Sequence, residues 1–192
     1  GRIRFRGIKN NMVCTCCVEP MPETEEKTGF FFMRHGRTKL NEESRIVGSM
    51  DEPISEFGKH QAEEAAERFK LVGTHFDLIV SSPMTRSMQT AEIISTILGI
   101  KTTMDNRLRE RKVGVLEGQP ETPETDKRLL NYDFKPEGAE PLESFEKESR
   151  EFLEDIEEKY RGKRVLFVTH GFRMLTLIKL IHGWDVETIM AY

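Results

Sequence analysis

The chain has 192 residues, 37% hydrophobic and 32% charged, and its 33 acidic and 29 basic side chains give a formal net charge of −4. That length fits one domain with a substantial core, and the mildly acidic balance excludes a global pull toward nucleic acid or an anionic membrane. No apolar run approaches the roughly 20 residues that a membrane-spanning helix needs, so any anion site must be a local cluster of basic residues.

Residues 1–27 read as an N-terminal extension, poorly ordered or partly foreign to the domain, and residues 28–192 as the domain itself. The basic residues Arg2, Arg4, Arg6 and Lys9 precede only the stretch Met12 to Val18, too short and too Cys-rich for a signal-peptide core. Four such charges without interleaved aromatics are ordinarily solvated, so neither a nucleic-acid nor a membrane partner is expected. Cys14, Cys16 and Cys17 crowd together with no further cysteine to complete a zinc site. They read as reduced thiols, which points to a cytoplasmic protein without a metal.

Phe30-Phe31-Phe32-Met33 reads as a buried strand. A polar loop follows over Lys39 to Glu52, and Ser55 then caps a helix carrying Phe57, Ala62, Ala65, Ala66 and Phe69. A second strand is expected at Phe76 to Val80 and a helix from about Thr85 to Leu98, stopped by Gly99. A short strand near Lys101 to Thr103 leads into Leu108-Arg109-Glu110. Residues 117–141 contain Pro120, Pro123, Pro136 and Pro141 and read mostly as an irregular crossing segment. Leu142, Phe145, Phe152, Leu153, Ile156 and Tyr160 recur at helical spacing. Arg164 to Thr169 is a third good strand, and a helix over Phe172 to Ile181 ends near His182-Gly183.

Strands alternating with helices predict an α/β fold, a three-layer sandwich with a mostly parallel central sheet flanked by helices. In such sheets ligands bind outside the carboxyl ends of the strands. The first strand runs into Arg34-His35-Gly36, the second into Ser81 through Arg86, and the third into His170-Gly171. A single His after a strand is ordinarily structural, but this conjunction points to a site.

The chemistry that fits is phosphoryl transfer to imidazole. Arg34 and Arg86 can fork onto phosphoryl oxygens, and their charge keeps His35 neutral and nucleophilic. His170 can donate to an equatorial oxygen, while Gly36 and Gly171 let the backbone approach an anion. The arginines supply the positive charge, so no cofactor or metal is required. Glu110 is a candidate proton donor, though spacing alone equally suits a surface carboxylate paired with Arg109 or Arg111. Glu117 is similarly ambiguous and reads as structural.

Phe32 to Thr38 with Asn41 downstream resembles the signature of the histidine phosphatase superfamily, in the branch of cofactor-dependent phosphoglycerate mutases and broad-specificity phosphatases. Ile54 to Ala62, Ser81 to Ala91, Arg107 to Gly118 and Val168 to Gly171 resemble further blocks in the family's order. The resemblance implies that His35 is phosphorylated, that Glu110 donates the proton, and that Arg34, Arg86, His170 and Asn41 hold the phosphate, with Gly48 supplying backbone near the substrate. Arg37 stands where relatives carry a smaller or acidic residue, and reads either as a contact to a second anionic group or as an exposed side chain.

Mutases of this branch carry a longer segment where Gly118 to Pro141 is short, so hydrolysis of phosphate monoesters is expected ahead of isomerisation. A phosphoprotein-binding module is the third possibility. The expected partner is a phosphorylated small molecule, with a phosphoprotein also open. Relatives continue into a strand after the last helix, which this chain is expected to lack. Neither the natural substrate nor the oligomeric state is readable.

Overall fold

Four consecutive apolar side chains, Phe30 to Met33, suit a strand covered on both faces, and that is what they form. A computed structural model describes residues 28–191. In it, β1 (Gly29–Arg34), β2 (Leu78–Ser81), β3 (Thr102–Met104) and β4 (Arg164–Thr169) make one sheet, all parallel, in the order β1-β4-β2-β3. The extension at residues 1–27, with its three cysteines, lies outside the described residues.

The helices are α1 (Lys39–Glu42), α2 (Glu56–Leu71), α3 (Thr85–Leu98), α4 (Pro123–Leu129), α5 (Leu142–Lys159), α6 (Gly171–His182) and α7 (Val186–Ala191). Ser55 caps α2 through its hydroxyl, and Gly99 ends α3 at φ 68°, a left-handed conformation open to glycine. Alternate side chains of the strands serve the two faces of the sheet. Phe31, Met33, Ile79 and Leu166 pack against Ala65 and Phe69 of α2 and Ile94 of α3. Phe30, Phe32, Val80 and Phe167 pack against Phe152 and Ile156 of α5 and Leu177 of α6. The expected three-layer α/β sandwich is therefore the fold. Phe167 is its densest point, with the rings of Phe30, Phe32, Phe152 and Tyr160 at 5.0–5.9 Å between centroids.

Three segments differ from the sequence reading. The Lys39 to Glu52 loop begins with α1, a single turn closed by a reciprocal cap between Thr38 and Asn41. The irregular 117–141 segment contains α4, which opens on Thr122 as N-cap with Pro123 in its first turn. Phe76 precedes β2 and packs instead edge-on against Phe31 and Phe69. After α6 the described chain continues as the helix α7, and no strand follows β4 among the described residues.

Candidate active site

The register of two neighbouring strands builds the centre of the site. Arg34 and Thr169 are paired at the ends of β1 and β4, and the His35 N–H continues the ladder to the Thr169 carbonyl at 2.9 Å. Since the strands are parallel, the next residue of each, His35 and His170, must emerge side by side. Their ring centroids lie 5.1 Å apart. On the other side of β4, Ser82 N–H bonds the Val168 carbonyl at 2.9 Å, and the first turn of α3 brings Arg86 to the same edge.

Arg86 is fully buried and joins the two histidines. Its single Nε–H is shared between His35 Nε2 and His170 Nδ1, each at 3.1 Å. His35 Nδ1 bonds the Gly36 carbonyl at 2.7 Å, and a carbonyl can only accept, so the proton sits on Nδ1 and Nε2 carries the lone pair that accepts from Arg86. On His170 the proton sits on Nε2, donated to Ser82 Oγ at 2.7 Å. Burial, with the charges of Arg34 and Arg86 nearby, holds His35 well below the ordinary histidine range. Burial, His35 and Arg86 do the same for His170. Both imidazoles are neutral in the empty site.

Gly36 is required by packing. A β-carbon there would stand 2.3 Å from the Gly58 carbonyl, and one on Gly58 would stand 2.1 Å from the Arg37 carbonyl. The start of α2 and the loop after β1 thus touch backbone to backbone.

Glu110 is placed at the N-terminus of α6. Its carboxylate accepts the N–H groups of Phe172 at 3.0 Å and Arg173 at 3.2 Å, the donors left over in that helix's first turn, as well as that of Arg111 at 2.9 Å. His170, the N-cap, makes no side-chain cap of its own. Burial raises the Glu110 pKa, partly offset by the N–H groups of Arg111 and Phe172 and the charge of Arg86. Glu110 is thus part of the site and is not a surface partner of Arg109, which pairs with Glu140 at 2.8 Å.

His35, Arg34, Arg37, Asn41, Glu110, Arg86, Gly48 and Gly171 all line one cleft of about 900 Å³. His170 lies behind them, fully buried. The Arg34 guanidinium lies over Gly171, 3.3 Å from where a β-carbon would be. Arg37 is exposed, with its guanidinium 5.9 Å from the Phe57 ring. Asn41 uses its carboxamide oxygen to cap Thr38 N–H at 3.3 Å. The Gly48 carbonyl is taken by Arg86 Nη2 at 2.8 Å.

Sequence reasoning missed several residues here. Ser82 Oγ is the partner of His170 Nε2, whose proton follows from the Arg86 N–H on Nδ1, and Thr90 Oγ1 accepts the Gly36 N–H at 2.9 Å; both sit in the Ser81 to Ala91 block, but only the fold shows what they touch. Arg111 is buried with its Nη1 and Nε on the carbonyls of Leu129 and Glu140, and lines the cleft. Asp126 of α4 is pushed up to about 6 by burial and by Glu121, against the opposing charge of Arg34. It lay within a segment read as irregular. No group of three or more His, Cys, Asp or Glu suited to a metal ion occurs among the described residues.

Residues 30–192 match the family model described as the histidine phosphatase superfamily, branch 1. A probable phosphoglycerate mutase GpmB of Salmonella paratyphi B is 35% identical over 162 residues, 80% of this chain and 74% of the relative. Among solved structures, a mycobacterial glucosyl-3-phosphoglycerate phosphatase superposes with a TM-score of 0.71 at 26% identity, covering 84% of this chain and 83% of the other. A phosphoserine phosphatase mutant from Entamoeba histolytica, in complex with phosphoserine, gives 0.71 at 26% identity over 85% and 84%.

Proposed function

The chain belongs to branch 1 of the histidine phosphatase superfamily, and from that premise we propose that it hydrolyses phosphate monoesters through a phosphohistidine formed on His35. The observation that carries this reading is the shared Arg86 Nε–H, which points a guanidinium at the unprotonated Nε2 of a buried, neutral imidazole.

An entering phosphate dianion draws the Arg86 and Arg34 guanidinium groups onto its oxygens, and the His35 Nε2 lone pair is released toward phosphorus. The N–P bond forms as the bond from phosphorus to the leaving oxygen breaks, and that oxygen takes a proton from Glu110. The three backbone N–H groups on Glu110 favour its carboxylate, so the dianion beside it and the enclosure of the cleft are what keep it protonated. In the second half-reaction a water gives its proton to Glu110 and its oxygen to phosphorus, the P–N bond breaks, and neutral His35 and inorganic phosphate result. His170 faces the phosphoryl group with Nδ1, which is proton-free in the empty site. The dianion offsets the arginine charges that keep it so, His170 takes up one proton from solvent as the dianion binds, and the imidazolium Nδ1–H then donates to an equatorial oxygen. Gly171 adds the start of α6 to the anion-binding edge. Asn41, which lines the same cleft, is assigned to the phosphoryl group and Arg37 to a second anionic group of the substrate.

The substrate class is a small phosphorylated metabolite, in keeping with relatives whose names specify glucosyl-3-phosphoglycerate and phosphoserine phosphatases. A second reading, phosphoglycerate mutase, is favoured by the name of the 35% identical relative. No helix among the described residues is long and apolar enough to cross a membrane; a cytoplasmic location is part of the proposal and rests on the thiol-rich stretch from Cys14 to Cys17. The test is a panel of small phosphate monoesters with release of inorganic phosphate as readout, together with trapping of acid-labile phosphoenzyme. Hydrolysis with a labelled histidine supports the phosphatase. Isomerisation of 3-phosphoglycerate without net hydrolysis supports the mutase, and neither turnover nor labelling overturns both.

A further inference from the structure

Arg86 is held by more than the two histidines. Its Nη1 donates to the Met50 carbonyl at 2.6 Å and its Nη2 to the Gly48 carbonyl at 2.8 Å. No carboxylate lies within ion-pair distance of it among the described residues, so these two carbonyls set the plane of the guanidinium. Both belong to the loop between α1 and α2, and carbonyls of a loop are only as well aimed as the loop is fixed.

One end of that loop is tied to α3 itself. The Asp51 carboxylate accepts the N–H and the hydroxyl of Thr85, each at 2.8 Å, directly before Arg86. The other end is tied by Glu117. A single carboxylate oxygen, Oε1, accepts Ser49 N–H at 2.9 Å, Ser49 Oγ–H at 2.8 Å and Val113 N–H at 3.1 Å.

Ser49 N–H and the Gly48 carbonyl belong to one planar trans peptide and point in opposite directions. With its N–H on Glu117, the peptide must aim its carbonyl the other way, at Arg86. Gly48 makes this bond necessary. At φ +54° it has backbone freedom on both sides of zero, and a turn over the 48–49 peptide would present an N–H to the guanidinium. Gly48 also lets Glu117 come close, since a β-carbon there would stand 2.7 Å from Glu117 Oε1 and 2.8 Å from its Cγ.

We propose that Glu117 is a positioning residue for the phosphoryl-transfer site, fixing the orientation of the Gly48–Ser49 peptide so that Arg86 is held square to His35 and His170. The inference rests on the reading of Arg86 and His35 as the phosphoryl-transfer pair. Glu117 touches neither substrate nor imidazole and acts only through the peptide.

The test measures kcat and KM for a hydrolysed monoester in Glu117→Ala and Glu117→Gln, each in the native background and with Arg86→Lys. Glu117→Ala is expected to lower kcat by about ten- to hundredfold, the scale on which a misplaced catalytic group acts. KM should move less, because the Arg86 bonds strengthen in the transition state. Glu117→Gln keeps an acceptor oxygen and restores kcat to within about threefold. With Arg86→Lys, which cannot reach both carbonyls, Glu117→Ala should cost less than about a further twofold, as expected of residues acting through one another. Equal loss in both backgrounds, or a Gln variant as slow as Ala, overturns the inference. If Glu117→Ala does not fold, Glu117→Met, which fills the space without an acceptor, takes its place. A native protein that neither turns over nor labels fails the functional reading; a native protein that does both while Glu117→Ala stays at native kcat fails this inference alone.

Discussion

The two sides of the cleft are built by different means. On one side, adjacent parallel strands in fixed register deliver His35 and His170, and a helix following a third strand delivers Arg86. On the other, Glu110, Arg111 and α4 are carried on chain without strands, held by capping of α6 and by carbonyls of distant segments. On the strand side the two histidines are positioned by a backbone ladder that few side-chain changes can alter, and only Arg86 also leans on loop carbonyls. The loop side is positioned by side chains and can be changed one residue at a time. On the proposed mechanism, then, phosphoryl chemistry falls on the strand side and proton delivery on the loop side.

This contrast is open to test. The largest effect is expected from His35→Ala, which should lower turnover by at least about a thousandfold and abolish acid-labile labelling, with little change in the thermal midpoint. Glu110→Gln should cost about 10²- to 10⁴-fold on an alkyl phosphate, in the range of lost proton transfer. It should cost far less on an aryl phosphate, whose leaving group departs without a proton; equal losses on both would remove Glu110 from proton delivery. Phe167→Ala empties the ring cluster behind the strand side and should destabilise folding by about 3–5 kcal/mol in urea unfolding. The smallest effect belongs to Asp126 on the loop side. As pH rises through about 6 its carboxylate forms near Arg34 and competes with phosphate. KM should therefore rise by less than about threefold across that pH range, and Asp126→Asn should flatten the rise.

The strand side was also the legible one. Apolar runs ending in Arg34-His35, Ser81-Ser82 and Thr169-His170 already say which residues reach the edge, because parallel strands leave no choice about where their carboxyl ends lie. Glu110 could be read only through its resemblance to a family, since its role depends on the α6 N-terminus, 61 residues on from it to Gly171. The single turn α1 is too short to show periodicity. For α4 the cue was present in Thr122-Pro123, an N-cap followed by a first-turn proline, but the three other prolines of the segment masked it. Arg111 and Glu117 carry no local signal at all, because buried guanidinium and carboxylate groups are defined by the distant carbonyls and N–H groups that satisfy them.

The shared Nε–H of Arg86 has a consequence for selectivity before any chemistry begins. The nitrogen proposed to attack phosphorus, His35 Nε2, is occupied as a hydrogen-bond acceptor. A neutral electrophile entering the cleft offers the guanidinium nothing in exchange, so it meets a capped lone pair. A phosphate ester offers the guanidinium better acceptors and uncovers the nitrogen by binding. On the proposed mechanism the protein thereby shields its own nucleophile, and the group that lifts the shield is the one the nucleophile attacks.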